Sequence, residues 1–143
     1  MINITSNSPQ VLAAMKARAV KLNRGVEIAV AKTAKGAEAT AKKETPVRKG
    51  TLRRGWECNK TYKWTWTVKN EVPYAKYVEE GYFLSEKALR YLRAKAAKEG
   101  VDLSGPTKGP RKIEGRHMLA KAVHRAIPEF RAAMELAVKM AMK

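Results

Sequence analysis

Apolar or small residues recur along the first third of the chain at Val11, Met15, Ala19, Leu22, Val26, Ala29, Thr33 and Ala37. Steps of three and four trace one face of a helix. Ser8-Pro9 offers a cap and a first-turn proline at its start. Glu44-Thr45-Pro46 stops it, because the residue before a proline is pushed out of the helical region. The pattern predicts a long helix over 9–43, with Gly25 and Gly36 as its weak points. Lys16, Arg18, Lys21, Arg24, Lys32 and Lys35 lie off the stripe, and the alanines of 29–41 allow a second helix to approach closely.

The period then changes from 3.6 to 2. Tyr62, Trp64, Trp66 and Val68 alternate with Lys63, Thr65, Thr67 and Lys69. This predicts a strand over 61–70 with one buried face. Leu52, Trp56 and Cys58 share a phase and predict a second strand at about 52–58, joined to the first through Asn59-Lys60. Beyond Pro73, the segment Tyr74–Glu80 reads as a short helix or an irregular stretch ended by Gly81. Ser85 caps a predicted helix over 86–98, with Ala88, Leu89, Leu92 and Ala96 on one face and Gly100 past its end. Gly105-Pro106, Gly109-Pro110, Lys108, Arg111 and Lys112 predict a mobile basic loop over 104–116. A C-terminal helix over 117–141 follows from the spacing of Met118, Leu119, Ala122, Val123, Ala126 and Ile127, and Pro128 is expected to kink or split it. The expected fold is α+β: a long N-terminal and a C-terminal helix packed on a small antiparallel β-sheet, in a single domain over 1–143.

Ile113-Glu114-Gly115-Arg116-His117-Met118 matches the pattern of an engineered protease site. Its internal position, with a periodic helix running straight on, marks the match as coincidence.

Charge alters the functional picture more than the fold. Thirty Lys and Arg stand against 13 Asp and Glu, a formal +17. Such an excess favours contact with a polyanion. The density of cations peaks at Lys42, Lys43, Arg48, Lys49, Arg53 and Arg54, and these are the candidate contacts to DNA or to an acidic neighbour. The phase of Tyr62, Trp64 and Trp66 predicts burial, which argues against stacking on single-stranded bases. One cysteine, Cys58, excludes an internal disulfide and reads as an ordinary half-buried residue. The first residues lack a basic, apolar leader, and no run approaches a membrane span, so the expectation is a protein that is soluble and intracellular when made.

Catalytic patterns are missing. Glu79 and Glu80 are adjacent and point apart on a helix or strand, so they form no facing pair. His117 and His124 have only Glu114 and Glu129 near them in sequence, a poor metal set. Phosphate-loop, nucleophile-elbow and metalloprotease spacings do not occur. No enzyme, no cofactor, no membrane and no small-molecule substrate are expected.

Two motifs carry a resemblance. A helix rich in Ala and Lys runs into Thr45-Pro46-Val47, then Gly50, then Leu52-Arg53. A strand pair leads to Val72-Pro73-Tyr74-Ala75, then Tyr77-Val78-Glu79, then Gly81, and Met118-Leu119-Ala120-Lys121-Ala122 comes near the end. This order resembles the neck, or tail-completion, family of tailed phages and prophages, the minor head–tail joining proteins of the HK-type phages. The chain departs from the family pattern in having Lys49 before Gly50, and Tyr82 after Gly81. The resemblance implies a virion structural protein and a homo-oligomeric, six-fold ring. That ring lies between the head-completion or connector protein and the tail terminator, around the channel for DNA. Arg48, Lys49, Arg53 and Arg54 would then face the lumen or a neighbouring ring. Tyr74, Tyr77, Glu79 and Glu80 become a subunit interface, while Pro46, Gly50 and Gly81 set turn geometry. A basic, sequence-nonspecific nucleic-acid-binding module is the alternative.

Overall fold

The computed structural model describes residues 8–98, 100 and 111–143. The fold is α+β. Helix α1 (Ser8–Glu44) and helix α5 (Met118–Met142) run antiparallel along each other. The direction follows from two ends: Gly25 lies against Ala137, and Glu44 pairs with Arg125. A short helix α2 (Thr51–Arg54) leads into the hairpin β1 (Trp56–Tyr62) and β2 (Thr65–Asn70), which packs on α1. Helix α3 (Ala75–Glu80), strand β3 (Gly81–Leu84), helix α4 (Glu86–Lys98) and strand β4 (Arg111–Glu114) complete the order.

Small residues let the two long helices meet. Ala29, Ala37 and Ala41 are buried on α1, and Ala122, Ala137 and Ala141 on α5. A Cβ added at Gly25 would stand 2.8 Å from the Ala137 Cβ, so glycine is what permits contact there. The core lies at the other end of this pair. Ala37, Ala41, Leu52, Trp56, Met118 and Ala122 form it, with Val68, Val72, Val78 and Leu119 around them. Met118 and Ala122 have no exposed surface.

The structure corrects the expectations at several points. Leu52 belongs to a helical turn, not to a strand at 52–58: the Arg54 amide donates to the Gly50 carbonyl and the Gly55 amide to Thr51, each at 3.0 Å. Leu52 and Trp56 are four apart, a spacing that satisfies both periods. The hairpin turns at Lys63-Trp64, with Trp64 left-handed at φ 64°, rather than at Asn59-Lys60. The alternation over 61–70 therefore runs through a turn. Tyr62 pairs with Thr65 and shares its face, away from Trp66. Trp66 and Val68 are half-buried as expected, but Tyr62 and Trp64 are exposed. The Lys63 ammonium sits 4.8 Å from the centre of the Trp64 ring.

The described residues form two small sheets, not one. Strands β3 and β4 pair antiparallel, Tyr82 opposite Ile113 and Leu84 opposite Arg111. Residues 111–114 are thus strand rather than part of a mobile loop, and 104–110 of that expected loop lie outside the described residues. The segment that matches a protease site is integral to the fold, ending in the fully buried Met118. Helix α5 continues unbroken through Pro128. One proline removes a single internal hydrogen bond, and the packing along α1 spans the gap.

Candidate functional site

The basic turn is held from behind by a short relay. Where α1 ends, the buried Thr45 hydroxyl donates to the Ala41 carbonyl at 2.6 Å. The same oxygen accepts from the Trp56 indole nitrogen at 2.8 Å. From the other side, the Asn70 amide donates to the Leu52 carbonyl at 2.8 Å, and its oxygen accepts the Val72 amide at 3.1 Å. Gly50 turns the chain in the left-handed region at φ 74°. The sequence thus places apolar Leu52 and Trp56 inward, and the cations on the outer side of a fixed loop.

Arg48, Lys49, Arg53 and Arg54 are all exposed. Among the described residues none of them, nor Lys43, carries an ion pair, whereas Lys42 is engaged by Glu38 at 2.7 Å. The Arg54 guanidinium folds back over the turn and donates to the Lys49 carbonyl at 3.3 Å. The turn lines a shallow depression of about 610 Å³ together with Tyr74, Val78 and Lys95. The fold thus brings the Pro46–Leu52 turn and the Tyr74 segment side by side. Lys95, from α4, was not singled out by the sequence. Its own neighbourhood is Ala and Lys, so only the tertiary path of α4 reveals it.

The interface candidates divide. Tyr74 and Tyr77 are exposed, at 46 % and 58 %, rather than packed in the core. Tyr77 meets Tyr82 edge to face, with ring centres 6.1 Å apart. Glu80 is exposed. Glu79 is half-buried and engaged within the chain. Its carboxylate accepts the Leu119 amide at 3.0 and 3.1 Å and the Ala120 amide at 3.1 Å. It caps α5 from 40 residues away in sequence. His117, which precedes that helix, is left-handed at φ 52° and gives no side-chain cap. Gly81, at φ 83°, lets this crossing close. A Cβ there would fall 2.3 Å from the Ile113 carbonyl, and one at Gly115 would fall 2.2 Å from that of Glu79.

A further surface is visible only in the fold. The α1–α5 seam has open apolar ground on both flanks. On one side Gly25, Ile28, Leu136 and Met140 line a groove. On the other Val30, Trp66, Val123, Ile127 and Phe130 line a second, of about 430 Å³. Ile28, Leu136 and Met140 are 58–64 % exposed, and Val123 and Ile127 about half. The sequence signal was the doubling of apolar positions on the last helix, as in Leu119, Val123 and Ile127 beside Met118, Ala122 and Ala126. That arc is wider than one neighbouring helix covers.

Few groups titrate unusually. The Lys60 ammonium, hydrogen-bonded to Glu27, holds that carboxyl below the usual carboxylate range. Burial pushes the Cys58 thiol up, and Glu38 adds to the shift. Among the described residues, no three His, Cys, Asp or Glu side chains gather as a metal set. No described helix is long and apolar enough to cross a membrane.

Residues 10–81, half of the chain, match a family described as "Bacteriophage HK97-gp10, putative tail-component". No curated protein and no solved structure matches. The matched stretch contains all but the first two residues of the long helix α1, the Thr45 to Arg54 turn, the hairpin, and α3 up to Gly81. Such a family points to a structural role among other phage proteins rather than to catalysis, in keeping with a site made of exposed cations, tyrosines and apolar flanks. The chain therefore belongs to the HK97-gp10-like family of bacteriophage tail components.

Proposed function

We propose that the protein is a non-enzymatic part of the head–tail neck of a tailed phage or prophage. In this reading it assembles as a six-fold ring around the DNA channel and joins the head connector to the tail. The observation that carries it is the pair of unlike apolar flanks on the α1–α5 seam. One flank joins Ile28 to Leu136 and Met140; the other joins Trp66 to Val123, Ile127 and Phe130. A surface of one kind meeting a surface of another is a heterologous contact, which closes into a ring when its rotation permits. The exposed Tyr74 and Tyr77 add to the subunit surface. The unpaired Arg48, Lys49, Arg53 and Arg54 then serve the lumen or an acidic neighbouring ring.

Electron microscopy of the concentrated protein, alone and on its connector ring, tests this. Closed rings of one diameter are expected, and Leu136→Asp or Ile127→Asp abolishes them while the far-ultraviolet spectrum stays unchanged. Monomers under both conditions overturn the reading. The five unpaired cations favour a second reading, a nonspecific nucleic-acid-binding module. It predicts steeply salt-dependent duplex binding by the monomer, lost when Arg48, Lys49, Arg53 and Arg54 are reversed to Glu.

A further inference from the structure

The α5 helix covers only part of α1. Gly25 meets Ala137, and α5 ends at Met142. In an antiparallel pair α5 therefore runs out opposite about Val20. Every residue from Ser8 to Lys21 is exposed. This arm is roughly 20 Å long at 1.5 Å per residue. Its apolar residues continue the stripe that α5 buries further along: Val11, Leu12, Met15, Ala19 and Leu22 fall within an arc of roughly 100°. Val11, Leu12 and Met15 are 48–61 % exposed.

The arm has little reason to be helical by itself. Isolated helices of this length are marginal in water. The first turn has no acid to meet the positive end of the helix dipole. Arg18 and Lys16 border the stripe on its two sides, Lys21 and Arg24 lie on the opposite face, and no acidic residue occurs before Glu27. A narrow apolar seam bordered by cations fits an apolar groove with an acidic rim. A second copy of this chain, itself at +17, offers the wrong sign. Duplex DNA would leave the stripe wet. The seam also lacks the Trp and Phe that interfacial membrane helices carry.

We infer that the Ser8–Lys21 arm of α1 is a docking helix for an acidic partner protein with an apolar groove. The inference stands apart from ring formation, since the arm lies outside both seam flanks. The test uses the full chain with calcium-loaded calmodulin as a surrogate acidic groove. Parallel samples contain a 20-base-pair duplex, or vesicles of phosphatidylglycerol and phosphatidylcholine. Hydrogen exchange reads amides 10–21. Those amides are expected to exchange fast in the free chain and to be protected by calmodulin. A Val11→Asp/Met15→Asp variant should lose about tenfold or more in calmodulin affinity. Its unfolding midpoint should stay unchanged, and Lys16→Glu/Arg18→Glu should weaken the same complex. Several results overturn the proposal: no protection by calmodulin, protection by vesicles or duplex in its place, protection that grows with protein concentration alone, or calmodulin affinity indifferent to the Asp variant.

Discussion

Replacing Glu79 by alanine should uncap α5 and leave only backbone hydrogen bonds, from the Arg116 and His117 amides to the Val78 and Glu79 carbonyls, to tie its start to α3. The Glu79 carboxylate accepts two backbone amides, Leu119 and Ala120, at 3.0 to 3.1 Å. Hydrogen bonds to a charged group are worth about 1.5–3 kcal/mol each, although losses at one group do not add fully. An anion at a partly buried helix N-terminus contributes up to about 2 kcal/mol by itself. Because His117 supplies no side-chain cap, nothing nearby replaces the carboxylate. The expected cost of Glu79→Ala is about 2–3 kcal/mol, at the upper end for a lost cap. Glu79→Gln keeps one acceptor oxygen and loses the charge, so about half of that is expected. Glu80→Ala, next to it and exposed, should stay within about 0.5 kcal/mol of wild type. Urea titration at fixed, low protein concentration measures all three. With a slope of about 1–3 kcal/mol per molar, Glu79→Ala should lower the midpoint by roughly 1 M. A Glu79→Ala midpoint equal to that of Glu80→Ala would refute the capping argument. Equal losses in Gln and Ala would show that one remaining oxygen contributes nothing.

Trp56→Phe removes the donor to Thr45 and part of a buried ring, so a loss of about 2–4 kcal/mol in chemical denaturation is expected. Gly81→Ala forces a Cβ to 2.3 Å from the Ile113 carbonyl at φ 83° and should cost more than about 3 kcal/mol or abolish folding, read by circular dichroism. The lowered carboxyl of Glu27 stabilises the folded state above the ordinary carboxylate range, and that contribution is lost as pH falls through its folded value. Glu27→Gln should therefore melt below wild type at neutral pH, and the two should converge at about pH 2. Burial holds the Cys58 thiol protonated, so Ellman's reagent at pH 8 should react more slowly with the folded protein than with the urea-unfolded chain.

Long, strongly periodic elements were legible in the sequence. The stripe from Val11 to Ala37 and the Thr45-Pro46 stop mark α1 closely, and Ser85 caps α4 as expected, its hydroxyl accepting the Ala88 amide at 3.3 Å. What failed was local and physical. Leu52 and Trp56 sit at a spacing common to strand and helix, so a helical turn passed for a strand. Alternation from Tyr62 to Val68 persists across the Lys63-Trp64 turn, because pattern alone does not say where a strand reverses. Strand β4 is four residues long in a stretch dense with Gly, Pro and cations, and its identity comes from pairing with β3. At the candidate site, the exposure of the cations and of Tyr74 and Tyr77 could be anticipated from residue type. The engagement of Glu79 could not, since its partners are backbone amides some forty residues on.

The β3–β4 pairing sets Leu84 beside Arg111, so the chain between them leaves and returns at one point. The entropy of closing a loop grows only with the logarithm of its length, about 0.6 kcal/mol per doubling. A change of length there therefore costs the folded body little, although α4 itself is held, with Ala96 buried and Lys95 beside Tyr74. The family match stops at Gly81, the first residue of that pairing. A fluorescent reporter inserted between α4 and β4 should therefore leave the long-helix pair undisturbed.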